Sequence, residues 1–163
     1  LLAERLTALG GPPVREAVDG ELLQAGTALI APGGYHMRVA RRGQVATVVL
    51  DRGPLVNSCR PAVDNLFQSL AASYGEGTLA LIMTGMGSDG LHGCEAIREK
   101  RGQIVVQDEA TSVVWGMPGF VAKAGLANAV VPLSGLASEI TVRTSRGRRN
   151  ASSSITTERA NVR

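Results

Sequence analysis

The sequence predicts an α/β domain, doubly wound around a mainly parallel sheet, with helices on both faces and one added β-hairpin. Three observations predict it. Leu79-Ala-Leu-Ile-Met83 is an unbroken apolar run, the pattern of a strand buried on both faces. Strand-like runs then alternate with helix-length segments as far as residue 142. Residues 63–74 carry one apolar stripe at helical spacing. A chain of 163 residues, 44% hydrophobic, suits a single domain with a real core.

Leu2, Leu6 and Leu9 fall at i, i+4 and i+7, so the chain opens inside a helix, with neither an initiator Met nor a signal peptide. That opening leads us to expect N-terminal strands of the domain upstream of residue 1. Gly10-Gly-Pro-Pro13 breaks the helix. Ala28-Leu-Ile-Ala31 reads as a short strand closed by Pro32-Gly-Gly34. Met37 and Val39, then Val45, Thr47 and Val49, alternate on either side of Arg41-Arg-Gly-Gln44, a β-hairpin with a polar turn. In the clearest helix, Val63, Leu66, Phe67, Leu70, Ala71 and Tyr74 form the stripe; Pro61 precedes it and Gly75-Glu-Gly77 ends it. After the Leu79 strand come a glycine-rich loop (85–90), a helix around Glu95–Arg101 and a strand at Ile104-Val-Val106. A loop and short helix through Ala124, a strand at Ala129-Val-Val-Pro132 and a helix near Leu136–Val142 complete the series.

Charge separates the chain into two parts. Residues 143–163 hold six arginines against Glu158 alone, whereas residues 1–142 hold 11 basic and 13 acidic groups. The basic tail, without apolar periodicity, is predicted to be disordered. The net charge of +3 therefore reports the tail and gives no reason to expect specific nucleic-acid binding. Trp115, Tyr35 and Tyr74 are too scattered for a base-stacking platform. No apolar run is long enough to cross a membrane. Cys59 and Cys94 stand apart, which suggests reduced thiols and a cytoplasmic protein. His92-Gly-Cys94 supplies too few ligands for a metal site, and neither a metal nor a cofactor is expected.

Ligand and catalytic groups gather beyond the carboxyl ends of strands in open parallel sheets. Thr84-Gly-Met-Gly-Ser-Asp-Gly90 lies there. Its glycines allow a sharp turn with exposed N–H groups, and Asp89 adds a carboxylate. It is neither a dinucleotide fingerprint nor a Walker loop, and the acid would repel phosphate. On spacing alone, Asp89 could instead be the N-cap of the helix that follows. Ser88, Asp89 and His92 do not read as a triad, because adjacent side chains diverge. There is no Gly-x-Ser-x-Gly elbow.

Four ordered segments carry a resemblance. Leu81-Ile-Met-Thr-Gly-Met-Gly-Ser-Asp-Gly90 closely resembles the LTGMGxDG signature of the chemotaxis receptor methylesterase (CheB) family. Asp19-Gly-Glu with Leu29-Ile-Ala-Pro-Gly-Gly-Tyr-His36 is similar to that family's DGE…IAPGxxH segment. Arg60-Pro-Ala-Val-Asp-Asn-Leu-Phe67 resembles RPSVDxLF, with Ala62 in place of Ser, and Gln107 to Pro118 resembles the segment ending in VyGMP. The match covers residues 1–142 as part of a methylesterase catalytic domain and leaves out the tail, 143–163.

The resemblance implies hydrolysis of glutamate methyl esters on the cytoplasmic helices of methylated chemoreceptors, by a Ser-His-Asp mechanism. It also implies an upstream receiver domain phosphorylated by a chemotaxis kinase, in two-component signalling. Asp89 matches the triad acid, and the N–H of Met86 matches an oxyanion donor. The family's Gly-x-Ser-Thr-Gly-Gly and His-Met-Pro segments, which hold the nucleophile and base, do not occur in the 163 residues. His36-Met37 imitates the second but continues with Arg38, so His36 is expected as an active-site neighbour or structural histidine, not the base. Truncation is the expected reason for the absence, and the 163 residues alone should be inactive. The rival readings are a noncatalytic adaptor of the same fold that binds receptor or kinase helices, and a phosphate-binding module on loop 85–90.

Overall fold

The computed structural model describes residues 1–145. Its central element is a three-stranded parallel sheet, β5 (Leu79–Ile82), β6 (Gln103–Gln107) and β7 (Ala129–Val131), with β6 in the middle. Leu79 pairs with Gln103 and Val105 with Ala129. Helices α2 (Val63–Tyr74), α3 (Leu91–Glu99) and α4 (Met117–Lys123) cover one face. There Ala71, Ala80, Ile82, Cys94, Ile97, Ile104, Val106 and Val121 form the main core. Full burial of a side chain such as Ile97 or Ile104 contributes about 1.5–3 kcal/mol. The last helix, α5 (136–145), serves the other face, where Arg143 donates to the Gln103 side chain at 2.5 Å. The α/β class and the helices on both faces are those expected.

Ahead of this module stand α1 (Leu2–Ala8), a parallel pair β1 (Val14–Glu16) and β2 (Ala28–Ile30), and the hairpin β3 (His36–Arg42) and β4 (Val45–Asp51). The hairpin is tighter than its sequence suggests. Its strands run to Arg42 and Val45, leaving only Gly43-Gln44 as the turn. Ala17, Met37 and Val48 form a second, smaller core that receives Leu66 of α2. Val63 and Phe67 of α2 face the main core instead. The apolar stripe of α2 is thus shared between two clusters, which leaves most of it half-buried.

Two further expectations shift. The helix expected around Glu95–Arg101 begins at Leu91, because Gly90, at φ +92°, turns the chain directly into it. Gly93 sits inside that helix because a Cβ there would lie 2.5 Å from Phe67 Cβ, so its absence lets α2 and α3 approach. The basic segment expected to be disordered from residue 143 is helical over 143–145, and 146–163 lie outside the described residues.

A candidate active site at the carboxyl edge of the parallel sheet

Three segments meet beyond the carboxyl ends of β5 and β6: the loop 83–90, the loop 108–116, and the turn and helix start at 56–64. Asp89 lies among them, 9% exposed. Its Oδ2 accepts the N–H of Val63 at 2.7 Å, and its Oδ1 accepts the N–H of Asp64 at 3.2 Å. The side-chain amide of Asn57 donates to Oδ1 at 3.0 Å. Asp89 therefore caps α2, a different helix from the one it precedes, and the N-cap position of α3 is Gly90, which has no side chain to cap with. The N–H groups that Asp89 accepts belong to the first turn of α2, where they have no acceptor within the helix itself.

Asp64 repeats the device one helix on. It is 2% exposed, and its Oδ1 accepts the N–H of Gly93 in the first turn of α3 at 2.6 Å. Its Oδ2 accepts from the same Asn57 amide at 2.8 Å. Asp89 caps α2, Asp64 on α2 caps α3, and Asn57 bridges the two acids.

The glycine-rich loop is fastened to its neighbour. Gly85 N–H donates to Val114 O at 3.0 Å, while the N–H groups of Gly116 and Met117 donate to Gly85 O at 3.1 and 2.8 Å. The Thr84 hydroxyl donates to Val114 O and accepts the Val114 N–H. Buried Gln107 ties both loops, accepting the Thr84 N–H at 2.9 Å and donating to Thr111 O at 2.7 Å. A Cβ on Gly116 would stand 2.7 Å from Gly85 O, so only glycine permits this approach. Held this way, the Met86 N–H meets no acceptor among the described residues, while its side chain is 86% exposed. Val113 and Val114 add exposed apolar side chains at this edge.

His36, expected as an active-site neighbour or structural histidine, is 1% exposed. Its Nδ1 accepts the Ala62 N–H at 3.3 Å, so the ring proton sits on Nε2, which donates to Pro54 O at 2.8 Å. Both nitrogens are engaged by main chain. His36 binds residue 62 and Asp89 binds residue 63, so the two lie beside the same helix start without a hydrogen bond between them. His92 points to solvent and pairs with Glu95 at 2.9 Å, and no hydrogen bond joins Ser88 to either Asp89 or His92. Cys94 is fully buried in the main core, and burial, followed by the nearby Asp64 and Glu95, pushes its thiol up to about 12. His92 and Cys94 thus occupy the surface and the interior respectively. Among the described residues, no group of three or more His, Cys, Asp and Glu could hold a metal ion.

The family model for CheB methylesterase matches residues 1–140, which include every element of this site. The chain belongs to that family. It is 52% identical over 139 residues to a protein-glutamate methylesterase/protein-glutamine glutaminase of Trichodesmium erythraeum. It is 51% identical over 140 residues to the protein so named in Nitrobacter winogradskyi. These alignments take in 85% and 86% of the chain but 40% and 33% of the two relatives, so the chain spans less than half the length of either. The Thermotoga maritima CheB methylesterase catalytic domain superposes with a TM-score of 0.82 at 36% identity, over 85% of this chain and 73% of that one.

Two residues of the site carried no separate signal in the sequence. Asp64 stands in the Arg60-to-Phe67 segment but reads there as an ordinary first-turn acid. Asn57 sits in a polar loop, and nothing in its neighbours points to a role.

Proposed function

We propose that this chain supplies the acid and one oxyanion donor of a Ser-His-Asp hydrolase acting on glutamate methyl esters in protein. The observation that carries this reading is the Asp89 carboxylate. It is buried, is held by three donors from residues 57–64, and lies on the loop that also bears the unengaged Met86 N–H. Such a carboxylate can accept the N–H of an imidazole, fix its tautomer and stabilise the imidazolium that forms as a serine is deprotonated. The serine attacks the ester carbonyl, and the charge that develops on the carbonyl oxygen is met by the Met86 N–H. Collapse of the tetrahedral species expels methanol. Water then attacks the acyl-serine by the same route and releases free glutamate.

The nucleophile and base belong to protein outside these 163 residues. The glutamine glutaminase activity in the relatives' names fits the same site, with ammonia leaving in place of methanol. The exposed apolar edge formed by Met86, Val113 and Val114 suits a protein substrate, here the cytoplasmic helices of methylated chemoreceptors. A receiver domain phosphorylated by a chemotaxis kinase would place the enzyme in a cytoplasmic two-component pathway. Among the described residues, no helix is long and apolar enough to cross a membrane.

The test is methanol release from methylated receptor by the full-length gene product, unaltered and as Asp89→Asn. By analogy with this substitution in serine proteases, turnover should fall roughly 10⁴-fold, about 5 kcal/mol of transition-state stabilisation. An Asp89→Asn enzyme as fast as the unaltered one would end the assignment. A full-length protein that binds receptor without releasing methanol would establish the adaptor reading instead.

A further inference from the structure

Two buried carboxylates stand close together at this site, and among the described residues no lysine or arginine forms an ion pair with either. Like charges so placed repel and are strongly unfavourable unless other groups hold them. Asn57 is the group that touches both. A side-chain amide nitrogen carries two N–H donors, and here one serves Asp64 Oδ2 at 2.8 Å while the other serves Asp89 Oδ1 at 3.0 Å.

The backbone shows how the residue is held in place. Val56 and Cys59 exchange both of their main-chain hydrogen bonds, at 3.2 and 2.9 Å, closing a two-residue turn. Its central residues, Asn57 and Ser58, both have positive φ, at +50° and +61°. That pattern defines a type I′ turn, and asparagine is among the few side-chain-bearing residues that enter the left-handed region readily. The turn faces solvent while the amide reaches inward to the acids. The consequence for Asp89 is an asymmetry. Oδ1 receives two donors, Asn57 and the Asp64 N–H, whereas Oδ2 receives only the Val63 N–H and keeps a lone pair free.

We propose that Asn57 is the positioning residue for Asp89. Its amide, shared between Asp64 and Asp89, fixes the rotation of the Asp89 carboxylate so that Oδ2 is the oxygen presented to the imidazole. Asn57 touches no reacting atom and acts only through Asp89. This inference rests on the hydrolase reading above.

The test uses the full-length gene product with methylated receptor as substrate. Asn57→Gly keeps the left-handed turn but removes the amide. Its kcat should fall about 10- to 100-fold, the scale of a small misplacement of a catalytic group, with KM within twofold and cooperative melting retained. Asn57→Ser keeps one short donor in the turn and should lose less; it serves as the second variant should Asn57→Gly not fold. Ser58→Gly changes the same turn without touching either acid and should leave kcat within twofold. The deciding readout is a cycle with Asp89→Ala. A residue that acts through Asp89 has nothing left to position there, so Asn57→Gly should cause no further loss in that background.

Loss in the double variant equal to the product of the two single losses would make Asn57 structural and overturn the proposal. So would unaltered kcat in both Asn57 variants, or a rise in KM at constant kcat. In those cases an active parent and an inactive Asp89→Ala enzyme leave the hydrolase reading standing. A full-length parent that releases no methanol refutes both.

Discussion

The parallel-sheet module and the arm that precedes it are built from equally apolar segments, yet they use them differently. In the module, Ile97, Ile104 and Val121 are wholly buried, and each lies between a helix and the sheet. In the arm, α1 buries no residue; Leu2 is 60% and Leu9 82% exposed. The β1–β2 pair is three residues long on each side. A leucine repeat can therefore specify a helix without specifying what covers it. Stability in the described residues should be concentrated in the module, and three tests would break or sharpen that division.

The largest contrast is between two core-type truncations. Ile97→Ala removes a fully buried side chain from the centre of the main core and should cost about 2–5 kcal/mol, because transfer and cavity terms add. Leu9→Ala should change stability by no more than about 0.5 kcal/mol. Urea unfolding of the two variants decides the matter. Equal losses would mean that α1 is packed in solution against something that sequesters its leucines.

A smaller contrast uses one substitution in both regions. Gly102 precedes β6, where an added Cβ would lie 2.6 Å from Ile97 Cγ2 and 3.0 Å from Thr78 O. Backbone cannot move aside cheaply, so Gly102→Ala should destabilise by about 1–3 kcal/mol. At Gly11 a Cβ would meet nothing within 4 Å, and φ is not in the left-handed range. Gly11→Ala should leave stability unchanged or raise it by up to about 1 kcal/mol through the unfolded chain. Thermal melts showing the same sign at both positions would contradict the division.

The same contrast explains what could be read in advance. Helix α2 was legible to the residue, Val63 to Tyr74, because its signal is local: one stripe, a proline before it and glycines after it. Helix α3 begins four residues before the segment its sequence marks, because its start depends on a left-handed glycine and on a cap from Asp64, 29 positions earlier in the chain. Strand β1 leaves no mark in the sequence, since three residues carry no alternation and its pairing with β2 is non-local. Asp89 was recognisable as a carboxylate in a loop beyond a buried strand, but each of its three donors lies 25–32 positions away. For the same reason its place in the sequence suggests a cap on α3, whereas the carboxylate caps α2. Two alternatives stood for His36, active-site neighbour or structural histidine. Only the folded main chain reveals that both of its nitrogens are engaged.

The smallest effect belongs to the module's surface and tests whether charge adds to what packing has built. His92, in the first turn of α3, is exposed, and the Glu95 carboxylate beside it raises its pKa above the usual histidine value, with Asp64 adding to the pull. The sign follows from proton linkage. A group whose folded-state pKa is raised binds its proton more tightly in the folded chain. It therefore stabilises the fold below the unfolded value, near 6.5, and the gain disappears as pH rises through the raised folded value. Opposing it, a positive charge in the first turn of a helix lies at the unfavourable end of the dipole. Solvent exposure and the competing dipole both keep the net contribution small. His92→Gln should thus lower the melting temperature slightly at pH 5–6 and not at all at pH 8. The difference should shrink further in high salt, which screens an exposed pair. Melting curves at these two pH values, with and without added salt, check it. A loss that is larger at pH 8 than at pH 5.5 would show that the neutral ring, through packing, is what matters at this position.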